Sequence, residues 1–138
     1  MFLRETRKGV CCDGFSAAGV REGKYGVALI AAEAPAVAAG VFTKNSVKAA
    51  PLSLTKKAMA GKISLVVANS GNANACTKTG VADAKKVQIE AAKIIGVRAS
   101  SVALASTGII GKRLDVSTVV GLAAKASKKF ACNPNSSR

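Results

Sequence analysis

Residues 106–111, with the sequence STGIIG, combine a hydroxyl with glycines in a way that could support chemistry. A glycine beside a hydroxyl residue lets the backbone turn sharply and aim an N–H at a developing oxyanion, with the Thr107 hydroxyl or amide as a second donor. Acyl transfer is a reaction that uses such a pair of donors. The same residue types also suit an ordinary turn with a capping hydroxyl, and spacing alone does not decide between the two.

Residues 69–76, NSGNANAC, form a second polar segment that follows an apolar run of strand length. Three asparagines and a serine offer donors and acceptors on a backbone that tolerates left-handed conformations. The alternative is a turn whose asparagine side chains satisfy local backbone groups. Cys76 has no evident base beside it and is interpreted as an incidental thiol.

Residues 43–51 form a basic segment, in which Lys44 and Lys48 could attract an acidic substrate. A solvated basic loop is the simpler interpretation of these lysines. The glycines and lysine of residues 108–113 are only superficially similar to a phosphate-binding loop. The spacing between the glycines is too short and no hydroxyl residue follows Lys112, which excludes nucleotide binding.

The composition excludes several classes of mechanism and site. There is no histidine, so the chain contains no Ser-His or Cys-His pair, and its seven acidic residues are scattered. The four cysteines form no CxxC pair, so we expect no metal site. No long apolar run indicates export or a membrane span, which predicts a protein of the reducing cytoplasm.

The net charge of +14 makes a small basic α/β module that binds nucleic acid or an acidic protein the alternative to an enzyme. The lysines are spread along the chain rather than clustered, and aromatic residues make up only 4% of it. Nucleic-acid binding usually combines basic patches with aromatic stacking, so this pattern disfavours that partner.

Hydrophobic periodicity predicts a mixed α/β chain without an internal repeat or linker. Residues 14–20, GFSAAGV, are too glycine-rich for a helix and are predicted to form a tight loop or an irregular strand. The run at 63–68 should be buried on both faces of a sheet. The remaining predicted elements are strands at 25–31 and 37–43 joined in a hairpin-like way through 33–36, a short helix at 53–60, a helix at 81–95 closed by Gly96, a strand at 102–105, a helix at about 117–129, and a disordered-looking tail at 133–138.

Taken together and in order, five segments resemble the bifunctional ornithine acetyltransferase and N-acetylglutamate synthase family. The resemblance spans about residues 10 to 125. The segments are GFSAAGV at 14–20, AAGVFTKN at 38–45, VKAAP at 47–51, NSGNANACT at 69–77 and STGIIG at 106–111.

The resemblance implies an α/β fold with sheets covered by helices. It also implies a precursor that cuts itself before an internal threonine and assembles as α2β2. The reaction it implies moves an acetyl group from N2-acetylornithine to glutamate through an acetyl-enzyme, with no cofactor and with acetyl-CoA as a candidate co-substrate. Thr107 and Gly108 would supply the oxyanion hole by match to the family pattern.

One departure from the family pattern bears on activity. Neither the threonine nucleophile nor the cleavage-site segment occurs before Arg138. Residues 1–138 are therefore expected to form a single partial domain, the front of an α chain. Without the β chain this part is predicted to be inactive alone.

Overall fold

The computed structural model describes residues 14–130. Within them, one four-stranded sheet is accompanied by three α-helices, which confirms the mixed α/β class. The strands are β1 (Phe15–Glu22), β2 (Tyr25–Ala36), β3 (Ile63–Ser70) and β4 (Val102–Ser106). The helices are α1 (Pro51–Ala58), α2 (Gly80–Ile95) and α3 (Val116–Ser127).

The order of strands in the sheet is β1-β2-β3-β4, and only the last pair is parallel. A parallel pair cannot be joined by a tight turn, and α2 provides the crossover between β3 and β4. The carboxyl ends of these two strands therefore lie at the same edge of the sheet. Asn69 is paired with Ser106 there, so the segments that follow the two strands start side by side.

The core lies between one face of the sheet and helices α2 and α3, and its side chains are small and aliphatic. Leu65 and Val67 of β3 are buried on this face, where Val87 of α2 and Leu122 of α3 pack against the sheet. On the opposite face of β3, Val66 and Ala68 are only partly covered. Ser64 on that face is buried, so the prediction that this strand is buried on both faces is confirmed for the core face and only in part for the second.

Helix α1 covers the outer edge of β4, which no strand pairs with in the described residues. The buried Thr55 hydroxyl donates to the Leu104 carbonyl at 2.7 Å and accepts from the Leu104 N–H at 2.8 Å. Farther back along the strand, the Gln88 side-chain amide donates to the Val102 carbonyl at 2.8 Å. Side chains thus take the place of a neighbouring strand and protect an otherwise open edge.

The predicted strand at 37–43 was wrong, because β2 does not end where the sequence pattern placed a connection. It continues through Pro35 to Ala36, with a shift in its pairing with β3 between Ala31 and Ala36. Residues 37–45 have no regular secondary structure, and the Val37 and Val41 side chains are almost wholly exposed. An apolar run without a neighbouring strand has nothing to pair with, whatever its β propensity.

The hairpin lies one element earlier than predicted, between β1 and β2. Residues 15–22 form a strand, so the irregular-strand interpretation of residues 14–20 is the correct one. The connection is a two-residue turn in which Gly23 has φ +56°, a left-handed conformation that glycine adopts without strain.

The other elements lie within two residues of their predicted bounds, and Gly96 closes α2 in a left-handed conformation as expected. The predicted tail at 133–138 lies outside the described residues, as do Cys11, Cys12 and Cys132. No helix within residues 14–130 combines the length and apolar character that a membrane span needs.

Candidate active site

The two polar segments singled out from the sequence meet at the joint end of β3 and β4. We call residues 69–76 the asparagine loop and residues 106–111 the glycine loop, although the first residues of each segment still belong to β3 and β4. Backbone hydrogen bonds join them in succession: Thr107 N–H to the Asn69 carbonyl at 3.0 Å, Ala73 N–H to the Ile109 carbonyl at 3.0 Å, and Gly111 N–H to the Ala75 carbonyl at 2.9 Å. The parallel pairing of the strands is thereby prolonged into the loops.

Gly108 lies where the two loops approach most closely, and this position requires glycine for two reasons. Its φ of +132° is a conformation that residues with a side chain rarely adopt. A Cβ atom here would also lie 2.5 Å from the Asn72 nitrogen and 2.8 Å from the Gly71 carbonyl oxygen. Both are backbone atoms of a hydrogen-bonded loop and cannot move aside cheaply.

Thr107 and Gly108, the residues expected to form an oxyanion hole, are both exposed to solvent. The sequence left open whether the hydroxyl or the amide of Thr107 is the second donor. The amide already donates to the Asn69 carbonyl, so the hydroxyl is the one that remains. Within residues 14–130, nothing forms a hydrogen bond with the Thr107 hydroxyl or with the Gly108 N–H. The helix-capping alternative does not apply, because Asp115 is the N-cap of α3.

The asparagine side chains of the neighbouring loop point inward and are buried. Asn69 accepts a hydrogen bond from the Ser106 hydroxyl at 2.5 Å and donates to the Asn72 carbonyl at 2.9 Å. Asn74 is fully buried with φ +48° and donates to the Gly80 carbonyl at 2.9 Å. The simpler interpretation, in which these side chains satisfy backbone groups, is thus the one observed.

The other candidates lie at the surface. Cys76 is an exposed free thiol with φ +57° at the end of the asparagine loop. Lys44 and Lys48 are exposed in an irregular segment, as a solvated basic loop would be. Among residues 14–130, no group of three or more His, Cys, Asp or Glu side chains is placed to hold a metal ion.

An ion pair between a buried carboxylate and an exposed guanidinium, which the sequence analysis did not predict, joins α2 to the segment after the glycine loop. The Asp83 carboxylate, 1% exposed, accepts hydrogen bonds from the Thr79 hydroxyl at 2.6 Å and from the Arg113 guanidinium at 3.3 Å. Burial alone would raise the pKa of Asp83, but the bonds from Thr79 and Arg113 hold that pKa below its ordinary value.

The sequence does hold a signal for the buried partner of this pair. Asp83 precedes Val87 by one helical turn and so lies on the buried side of α2. Val81, predicted on the apolar face, is 54% exposed instead.

At the joint end of the parallel strands β3 and β4, two donors without a partner among residues 14–130 form an arrangement that could stabilise an oxyanion. The ArgJ family model matches residues 13–137, and the chain belongs to the ArgJ family. Family membership confirms the resemblance noted in the sequence and favours an enzyme over a basic binding module.

Two relatives illustrate the similarity in sequence. The chain is 47% identical to the glutamate N-acetyltransferase of Methanothermobacter thermautotrophicus over 133 residues, which is 94% of this chain and 33% of the relative. It is 45% identical to the arginine biosynthesis bifunctional protein ArgJ of Symbiobacterium thermophilum, over 86% of this chain and 30% of the relative. The chain thus spans about a third of the length of these curated relatives.

Two solved structures share the fold. Ornithine acetyltransferase of Mycobacterium tuberculosis, crystallised in complex with ornithine, aligns with a TM-score of 0.79 at 37% identity, over 85% of this chain and 67% of that one. ArgJ of Bacillus halodurans aligns with a TM-score of 0.77, also at 37% identity, over 82% of this chain and 63% of that one. The fold expected from the family resemblance is therefore confirmed.

Proposed function

We propose that this chain supplies the oxyanion hole of an enzyme that transfers the acetyl group of N2-acetylornithine to glutamate in arginine biosynthesis. The observation that carries the proposal is the pair of unpaired, exposed donors, the Thr107 hydroxyl and the Gly108 N–H, on loops fixed by hydrogen bonds. The names of its relatives, glutamate N-acetyltransferase and ornithine acetyltransferase, support the choice of substrates.

In the proposed reaction a threonine of the β chain, which is not among these 138 residues, attacks the acetyl carbonyl carbon. The carbonyl carbon becomes tetrahedral and its oxygen becomes an oxyanion, whose charge the two donors stabilise more than they stabilise the neutral carbonyl. The C–N bond then breaks, the ornithine amine leaves with a proton, and the threonine keeps the acetyl group as an ester. Attack by the amine of glutamate on that ester forms N-acetylglutamate and restores the threonine hydroxyl.

The donors suit this role because they need little reorganisation when charge develops. Backbone bonds to Asn69 and Ala75 fix the two ends of the glycine loop, and close packing on Asn72 fixes its middle. The same acetyl-enzyme would serve N-acetylglutamate synthesis if acetyl-CoA supplied the acetyl group. We further propose an α2β2 assembly in the cytoplasm, without a resident cofactor.

The test is replacement of Thr107 in the protein made from the complete reading frame. Removing one donor of an oxyanion hole typically lowers kcat by about 100- to 1,000-fold, so Thr107→Ala should do so for acetyl transfer from N2-acetylornithine to glutamate. Thr107→Ser keeps the hydroxyl and should retain most of the activity. Unimpaired turnover by Thr107→Ala would remove Thr107 from this role.

The 138-residue chain alone should show no acetyl transfer, because in this mechanism the nucleophile lies on the β chain. Adding acetyl-CoA in place of N2-acetylornithine should not change that result. Sustained turnover by the purified chain would contradict the assignment of the nucleophile.

A further inference from the structure

Asn72 connects the asparagine loop to the chain that follows the glycine loop. Its side chain is 2% exposed, and its amide nitrogen donates to the carbonyls of Lys112 at 3.0 Å and Arg113 at 3.1 Å. Its amide oxygen accepts from the Asn74 N–H at 2.7 Å. One buried carboxamide therefore binds backbone groups on both segments, which a shorter or apolar side chain could not do.

The backbone of Asn72 also packs against Gly108. The Asn72 nitrogen lies 2.5 Å from the place that a Cβ of Gly108 would occupy. The neighbouring residues of the two loops are hydrogen-bonded, Ile109 N–H to the Gly71 carbonyl at 3.4 Å and Ala73 N–H to the Ile109 carbonyl at 3.0 Å. The position of Gly108 thus depends directly on the position of Asn72.

We infer that Asn72 is the positioning residue of the oxyanion hole. It acts through the glycine loop by fixing the directions of the Gly108 N–H and the Thr107 hydroxyl, and this inference rests on the proposed function. Asn69 fixes the start of the loop through the Thr107 N–H. The side chain of Asn72 fixes the segment directly after the loop, and its backbone packs against Gly108 in the middle. A donor displaced by about 1 Å can cost about 100-fold in rate, so the hydrogen bonds of the Asn72 side chain matter for turnover as well as for folding.

The experiment compares Asn72→Ala with Gln88→Ala in the protein made from the complete reading frame. Gln88 is a matched control, because it is also a buried carboxamide that donates to a backbone carbonyl, but at the opposite end of β4. Urea unfolding should show losses of stability of similar size for the two variants. Asn72→Ala should lower kcat by about 10- to 100-fold with KM for N2-acetylornithine within about twofold, and Gln88→Ala should leave both near their original values.

A double-mutant cycle with Thr107→Ala adds a measurement that a merely structural role would not change. If Asn72 acts through the two donors, Asn72→Ala should lower kcat by a smaller factor in the Thr107→Ala background than in the original protein. If Asn72→Ala does not fold, the same double-mutant cycle is measured with Asn72→Ser, which has a short polar side chain.

Three results would overturn the inference: an effect on KM alone, a loss of kcat no larger than that of Gln88→Ala, or the same factor in both backgrounds. Its failure can be told apart from failure of the proposed function. A Thr107→Ala variant with full activity refutes both, whereas an impaired Thr107→Ala beside a fully active Asn72→Ala refutes only the positioning role.

Discussion

Replacing Gly108 with alanine introduces a single methyl group at the point where the glycine loop rests on the asparagine loop. The residue has φ +132°, and the new Cβ would lie 2.5 Å from the Asn72 nitrogen and 2.8 Å from the Gly71 carbonyl oxygen. The atoms in the way belong to the backbone, so no change of side-chain rotamer relieves the overlap. The loops must separate or the backbone must change conformation.

The expected loss of stability has two parts. Holding an alanine in a backbone conformation reserved for glycine costs about 1 to 3 kcal/mol. Overpacking against rigid neighbours costs about 1 to 3 kcal/mol more. The free energy of unfolding should therefore fall by about 2 to 6 kcal/mol, a large share of the 5 to 15 kcal/mol that is typical of a whole domain.

Gly111→Ala is the matched control, because Gly111 belongs to the same loop and has φ +79° but nothing within 4 Å of its Cβ position. It should show the conformational cost without the overlap. The measurement is urea unfolding of both variants followed by circular dichroism. If Gly108→Ala loses no more stability than Gly111→Ala, the loops do not pack as closely as described and the argument for a fixed oxyanion hole fails.

Two further predictions concern the framework around the site. Thr55→Val should lower the free energy of unfolding by about 2 to 3 kcal/mol, because it leaves the N–H and carbonyl of Leu104 buried without partners. Thr55→Ser, which keeps the hydroxyl, should lose less in the same urea titration, and equal losses would contradict the bridging role. Asp115→Ala should cost about 1 kcal/mol by removing the N-cap of α3. Bonds from Ser117 and Thr118 lower the pKa of Asp115 to about 2, so its contribution is present above 3.8 and is lost as pH falls towards about 2. The difference in free energy of unfolding between wild type and Asp115→Ala should narrow over that pH interval. A difference independent of pH would refute the role of the Asp115 carboxylate as the N-cap.

The local sequence pattern was sufficient to predict those elements whose buried face and end are both marked by their own residues. Helix α2 was recognisable from apolar positions at helical spacing and from Gly96, because its buried side and its end are both encoded locally. The strand expected at 37–43 has equally favourable residue types, but a strand forms only beside another strand. Whether such a neighbour exists depends on the order of strands in the sheet, which residues 37–43 do not specify.

The candidate site shows the same division between local and non-local information. Residues 69–76 and 106–111 could each be recognised as loops, and the oxyanion assignment of Thr107 and Gly108 came from the resemblance to a family. That the Thr107 amide is occupied and only its hydroxyl is free follows from the parallel register of β3 with β4, which the sequence did not reveal. Asp83 and Arg113 are 30 residues apart in the sequence, and their pairing depends on where the crossover helix α2 begins.

The contrast between the two loops is an argument for the proposed chemistry. Asn69 and Asn72 of the asparagine loop use their side chains to bind backbone groups, and only the amide oxygen of Asn74 is buried without a partner among the described residues of this loop. The glycine loop, bound to it at both ends, nevertheless leaves the Gly108 N–H and the Thr107 hydroxyl without a partner in the described part of the chain. Water satisfies exposed donors in any surface turn, but here the Gly108 backbone is also held by close packing on Gly71 and Asn72. Fixed donors that water can satisfy until a substrate replaces it are what stabilisation of an oxyanion requires.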